Sequence, residues 1–363
     1  MSMKQSNRQW VLWAACGVLP LLAGCQTEQM RTNPQQAWDR ASNVLLLGVQ
    51  DQNPSTRWMA MEALARTLGA RAGEIYQRGL VDPSSGVRAS AAMAIGDTQY
   101  APARDLLAAM ASSDESVYRE RDKRVITAVI YALYRLGDQT HVSELVKLLW
   151  DNESEVRAMA AMVMGKMGQP QAIKHLKMLH RDEHDPAVQI QLVESLSLLG
   201  DRGAHRLLEA YTKTNFVDEQ IVAAEALADI RSPRSKPVLK EMLSSKYPPR
   251  VRVAVAGNLG TLGYFDLIAY NLCLDSVRDP RSVLKMALGP RRTITPDHAD
   301  SLQHLASIAL GKIGRESAVD TLVPVMESPE SAIRIAAAMS TLQLLADKDG
   351  KPKYPPMAPQ NAP

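Results

Sequence analysis

The sequence predicts an all-α fold, a right-handed α-α superhelix (solenoid) of about nine helix pairs. Three observations carry that expectation. The run VRAMAAMVMGKMG from Val156 to Gly168 can be laid on VRVAVAGNLGTLG from Val251 to Gly263 with the arginine, the small residues and both glycines in register. The equivalent positions Arg57, Arg88, Ile126, Arg157, Gln189, Gln220, Arg252, Gln303 and Arg334 mostly recur at intervals of about 31 or 32 residues, the spacing of a solenoid repeat. No run of alternating β-branched residues is long enough for a sheet.

Each repeat reads as two helices. The second begins after a breaker or capping residue, as at Asn53-Pro54, Asp82-Pro83, Asn152, Asp185-Pro186, Pro248-Pro249 and Ser328-Pro329. It often ends at a glycine followed by a polar residue, as at Gly137-Asp138, Gly168-Gln169 and Gly200-Asp201. The first is a shorter amphipathic stretch, such as Ser143–Leu149, Ile173–Leu179 or Pro237–Leu243, with apolar residues at three- and four-residue spacing. Alanine pairs such as Ala160-Ala161, Ala223-Ala224 and Ala336-Ala337 let helix axes approach closely. One repeat cannot bury its own apolar face, so the array over residues 34–347 is expected to be one cooperative unit, with roughly 70 to 90 Å of surface along its curve.

The pattern Val-Arg-x-x-Ala-Ala-x-x-x-Gly-x-x-Gly resembles HEAT and HEAT-like (phycobilisome-lyase-type) repeat proteins over Asn33 to Leu345. The resemblance implies that the second helices line a concave face and that the repeat arginine forms an inter-repeat ladder with acidic residues. Ile126, Gln189, Gln220 and Gln303 stand where that arginine would be, so the ladder should be interrupted. Some relatives of this type are di-iron hydroxylases built on paired His-Glu dipeptides, and this sequence contains none.

Residues 1–24 carry Lys4 and Arg8, then an apolar stretch from Trp10 to Leu22, the order of a secretory signal peptide. A membrane span needs roughly 20 apolar residues, and this stretch offers about 13. The run Leu22-Ala23-Gly24-Cys25 matches the lipobox and resembles bacterial lipoproteins. That resemblance implies cleavage before Cys25, acylation of this residue by chains such as palmitate, and a tether over residues 25–33. Gln26 is not the aspartate associated with inner-membrane retention, so an outer-membrane anchor facing the periplasm is implied for a host with two membranes. At the other end, residues 348–363 contain Pro352, Pro355, Pro356, Pro359 and Pro363 and read as a disordered tail.

The chain has a net charge of +3. Removing Lys4 and Arg8 leaves it near neutrality, which offers no basic excess for nucleic acid. Aromatic residues make up 5%, too few for stacking platforms. Past Cys25 the only cysteine is Cys273, within an apolar stretch, so no internal disulfide framework exists and a buried inert thiol is expected.

The interval before Gln303 is longer by about 19 residues than a solenoid repeat. The excess falls around 275–299 and is expected to be a loop carrying Arg278, Arg281, Lys285, Arg291 and Arg292, with turns at Gly289-Pro290 and Thr295-Pro296. These five cations are the candidate partner-binding residues. His180, Asp182, Glu183, His184 and Asp185 could ligate a metal, but Asp185-Pro186 opens a helix, so a capped turn is the better reading and no metal or cofactor is expected. Glu194 and Glu225 occupy equivalent repeat positions and read as concave-surface carboxylates rather than a catalytic pair, and Met159, Met162, Met164 and Met167 read as core filler. The function expected is a lipid-anchored envelope scaffold or adaptor that binds another protein or peptide through the solenoid surface. The alternative is an enzyme or accessory lyase with a pocket near 275–299.

Overall fold

A computed structural model describes residues 31–112, 120–289 and 293–354, and no strand occurs among them. Two layers of helices result from the repeat. The inner, second helices begin with α2 (Pro54–Thr67), α4 (Ser85–Thr98), α6 (Lys123–Arg135) and α8 (Ser154–Met167). They continue with α10 (Pro186–Leu198), α12 (Val217–Asp229), α14 (Pro249–Thr261), α17 (Pro296–Ile313) and α19 (Ser331–Leu345). The outer helices, shorter except for the first, are α1 (Pro34–Gly48), α3 (Gly73–Gly79), α5 (Arg104–Ala111), α7 (Glu144–Leu148) and α9 (Ala172–Asp182). After them come α11 (Arg202–Tyr211), α13 (Ser235–Glu241), α15 (Leu267–Arg278), α16 (Pro280–Leu288) and α18 (Val319–Val325).

Local chemistry sets the helix ends. The Asn53 side chain accepts from the Ser55 N–H at 2.9 Å, and Asp185 accepts from the Ala187 N–H at 2.9 Å, each ahead of a proline at the first helical position. Gly137, Gly168 and Gly200 all have positive φ, which turns the chain out of the preceding inner helix. Close packing then follows from small residues. A Cβ built on Gly260 would lie 2.6 Å from the Ile313 Cα, so only glycine lets α17 lie this near α14.

Each inner helix packs on the next, and the series does not end at α19. That helix packs on α17 on one side and on α1 and α2 on the other, so the solenoid closes into a ring. The expected open concave surface is therefore a bore. Nine helix axes, at roughly 8–10 Å spacing, put each axis about 12–15 Å from the centre and leave an opening on the order of 15–20 Å before side chains fill it. Polar side chains join next-but-one helices on the inner face. Lys166 Nζ reaches Asp97 at 2.9 Å past Tyr131, and Lys312 Nζ reaches Glu225 at 3.5 Å past α14.

The seam combines apolar burial with a hydrogen-bonded latch. Trp38, Ala41 and Leu45 of α1 are buried, and a fully buried leucine contributes about 2 kcal/mol. The Arg31 and Thr32 N–H groups donate to the Asp320 carboxylate at 2.9 and 2.8 Å, joined by the Thr32 hydroxyl at 2.6 Å. The end of the expected tether is thus held against α18. The expected disordered tail also departs from the reading at its start. The Lys353 N–H donates to the Leu345 carbonyl at 2.9 Å, its Nζ lies 2.6 Å from Glu316, and the Tyr354 hydroxyl donates to Glu316 at 2.9 Å. Residues 348–354 are anchored because these polar contacts offset the chain entropy that proline content alone suggested would win. Cys25, the leader and residues 355–363 lie outside the described residues.

Candidate functional site

The insertion over 275–299 is largely helical, which corrects the expectation of a loop. Asp279-Pro280 both ends α15 and begins α16: the Asp279 carboxylate accepts from the Ser282 N–H at 3.0 Å and from its hydroxyl at 2.6 Å, and Pro280 takes the first helical position. Those bonds hold the Asp279 carboxyl below the usual carboxylate range. Thr295-Pro296 likewise opens α17.

The candidate cations separate into different roles. Arg278 ends α15 and donates through Nη2 to the Thr321 hydroxyl at 3.1 Å, tying the insertion to α18. Arg281 and Lys285 are exposed on α16, and neither makes an ion pair among the described residues. Arg291 and Arg292 lie outside the described residues.

Beside α16 runs a groove of about 530 Å³. Leu272, Val283, Met286 and Leu288 form its apolar wall, and Tyr247, Pro248 and Pro249 at the start of α14 form the other. Met286 is 79% exposed, an unusual position for a large apolar side chain at the lip of a groove. Lys246 lies at the margin, engaged with Glu241 at 2.6 Å.

Arg252 also lines this groove; among the repeat arginines it and Arg334 have no carboxylate partner among the described residues, and Arg334 keeps two loop-carbonyl bonds, to Ser328 and Pro329 at 2.8 and 2.7 Å. Arg57, Arg88 and Arg157 each donate through Nη1 to two loop carbonyls and through Nε and Nη2 to a carboxylate, that of Asp82, Glu120 or Glu183. This is the expected acidic ladder. At Gln189 and Gln220 the side-chain amide keeps a loop-carbonyl bond, at 2.6 and 2.6 Å, Gln303 instead donates to the Val277 carbonyl in the last turn of α15 at 2.7 Å, and the ladder is interrupted as the substitutions imply. At the Ile126 joint, Arg124 two residues earlier reaches Glu155 at 2.6 Å instead. Arg252 donates through Nε to the Leu243 carbonyl at 3.1 Å, and among the described residues it has no carboxylate partner. The residue six before the next repeat position supplies the acid at three joints, but α16 intervenes here. A half-buried guanidinium is left facing apolar walls, with its Nη groups open to a carboxylate from outside. The repeat pattern named Arg252 as an equivalent position, and only the inserted helix gave it a different environment.

The other candidate residues fall elsewhere. Glu183 is committed to Arg157, at 2.6 and 3.0 Å, and to the His184 and Asp185 N–H groups; the Arg157 bond, ahead of opposing burial, holds its carboxyl at about 2. With Asp185 capping α10, only Glu183–Asp185 form the turn, His180 and Asp182 lie in the last turn of α9, and no cluster able to hold a metal occurs among the described residues. Cys273 is fully buried, and burial pushes its thiol up to about 12. Met164 and Met167 are buried, while Met159 and Met162 are partly buried against the core clusters. Glu194 faces Asp229 and Glu225; burial first, then those charges, pushes its carboxyl up to about 7 against an opposing bond from Gln191. No metal-holding cluster accompanies it among the described residues. No helix among them is long and apolar enough to cross a membrane.

The architecture is that of an α-solenoid of two-helix repeats closed into a ring. A HEAT-repeat family model matches residues 42–122 and 115–197, and the PBS lyase HEAT-like repeat model matches residues 220–245, so this is a HEAT-repeat protein. No curated protein matches the sequence. Among solved structures, the complex of CpcE and CpcF of phycocyanin lyase from Nostoc sp. PCC7120 is similar at 16% identity and a TM-score of 0.41, covering 71% of this chain and 96% of that one. Human deoxyhypusine hydroxylase in complex with glycerol is similar at 19% identity and a TM-score of 0.36, covering 85% and 97%. At these scores the likeness carries no functional information.

Proposed function

We propose that this protein is an adaptor of the cell envelope, anchored through acylated Cys25 and binding a partner protein along the groove between α14 and α16. The single observation that carries the binding reading is Arg252, a repeat arginine deprived of its carboxylate and set between apolar walls. An acidic side chain flanked by apolar ones would supply the missing partner and cover Met286 and Leu288. Arg281 and Lys285 add a positive approach, a contribution that salt screens. The lipobox around Cys25 supports the anchor, and Gln26 supports the outer membrane facing the periplasm. No cofactor, metal or nucleic acid enters this reading.

The alternative, an enzyme or accessory lyase working beside 275–299, has less support. The groove lining holds Lys246, Tyr247 and Arg252 but no carboxylate, histidine or cysteine among the described residues.

Photo-crosslinking in cells from position 286 tests the adaptor. A discrete protein adduct that disappears with Arg252→Glu is expected. Adducts to lipid alone, or an unchanged adduct in the variant, would overturn the assignment of the groove. Metabolic labelling with a palmitate analogue tests the anchor separately, with label expected on the native chain and absent from Cys25→Ser.

A further inference from the structure

A second cavity, of about 220 Å³, opens into the bore and shares no lining residue with the α14–α16 groove. Trp58, 37% exposed, presents an aromatic face to it, and Met59, Ile308, Ile335 and Met339 complete an apolar lining.

Charge occurs in two separate pairs around that lining. On α2, Arg66 Nη2 lies 2.6 Å from Glu62. From α17 and α12, Lys312 Nζ lies 3.5 Å from Glu225, a loose contact, and gives its better bond to the Asn258 Oδ1 at 3.0 Å. An ammonium has three N–H donors, so Lys312 keeps capacity for an incoming acceptor. His304 adds a directed polar atom. Its Nδ1 lies 3.1 Å from the Ala332 carbonyl oxygen, which fixes the proton on that nitrogen and leaves Nε2 as an acceptor toward the cavity. Burial lowers the His304 pKa, so the ring is neutral near pH 7.

We propose that this cavity binds short apolar peptides with free termini, the terminal carboxylate at Lys312 and the terminal ammonium at a carboxylate of either pair. A zwitterion with an apolar middle matches two balanced charge pairs around an apolar lining. The inference does not depend on the adaptor reading, because it uses different helices and needs no membrane.

Calorimetry on the full chain in detergent, with phenylalanylphenylalanine, its N-acetyl form and its C-terminal amide, tests this. The free dipeptide is expected to bind roughly tenfold or more tightly than either blocked form. Lys312→Met should weaken the free and acetylated peptides by about tenfold and leave the amide unchanged, a pattern that a collapsed cavity would not give. Lys312→Arg should retain binding, and Trp58→Ala should weaken all three peptides. No binding of the free dipeptide at millimolar concentration overturns the proposal. So does equal binding of the blocked forms, or equal weakening of all three peptides by Lys312→Met.

Discussion

Arg157 and Arg252 occupy the same place in the same repeated run, yet they have opposite surroundings. Arg157 clamps Glu183, whose side chain is 4% exposed, and thereby fixes one repeat to the next. Arg252 sits where an extra helix has displaced the acid, and its fork opens on a groove. The same side chain is a structural clamp at one joint and has no carboxylate partner among the described residues at another. What decides is the neighbour, not the motif.

The strongest way to break the comparison is to give the clamp the condition of the groove. Glu183→Ala leaves Arg157 without its carboxylate and strips two N–H groups of their acceptor, which should cost about 3 kcal/mol in urea unfolding. Because the folded Glu183 pKa is depressed to about 2, its stabilisation is complete above the unfolded pKa and is lost as pH falls through roughly 4 to 2. The variant should therefore lose little further stability from this site in that window.

Glu194 sharpens the contrast from the other side, as a carboxylate with acidic neighbours and no cation. Its folded pKa of about 7 lies above the unfolded value, so the folded state binds the extra proton and stability falls as pH rises from roughly 4.5 to 7. Glu194→Gln should remove that slope and raise stability above pH 7 by about 1–3 kcal/mol, read from urea midpoints across the range. A wild-type profile flat from pH 5 to 7 would contradict the raised pKa.

Arg252→Met should change the unfolding free energy by less than about 1 kcal/mol, since the side chain has no acidic partner to lose. The 286-position adduct should nevertheless vanish. A loss comparable to that of Glu183→Ala would show that the guanidinium is a clamp after all. The smallest effect belongs to Lys285→Glu, which should slow partner association a fewfold at low salt and leave it nearly unchanged near 0.5 M salt.

Much of the fold was legible because repeats write themselves twice. Asn53-Pro54 and Asp185-Pro186 named helix starts, Gly168 and Gly200 named ends, and the glutamines at 189, 220 and 303 announced the missing ladder bonds. Closure was not legible. The contact of α1 with α19 joins distant parts of the chain, and ring closure depends on small rotations summed over every joint. The insertion was located correctly but read as a loop, because Asp279-Pro280 serves equally as a breaker and as a cap with its first helical residue. Arg252 escaped notice for a related reason: a sequence shows which residue holds a position, whereas a missing partner shows only in three dimensions.

The seam also brings together residues from the two ends of the described chain. Thr32 is held at Asp320 and Tyr354 at Glu316, four positions apart in one short segment. A ring whose ends meet has no privileged starting repeat. A short linker from 354 to 31 would turn the described fold into a continuous loop, and the chain could then be cut at another inter-repeat turn to make a circular permutant with the same inner helices. In such a permutant the site of an added anchor or label could be moved around the circumference, turning the α14–α16 groove toward a surface or away from it without altering a groove residue.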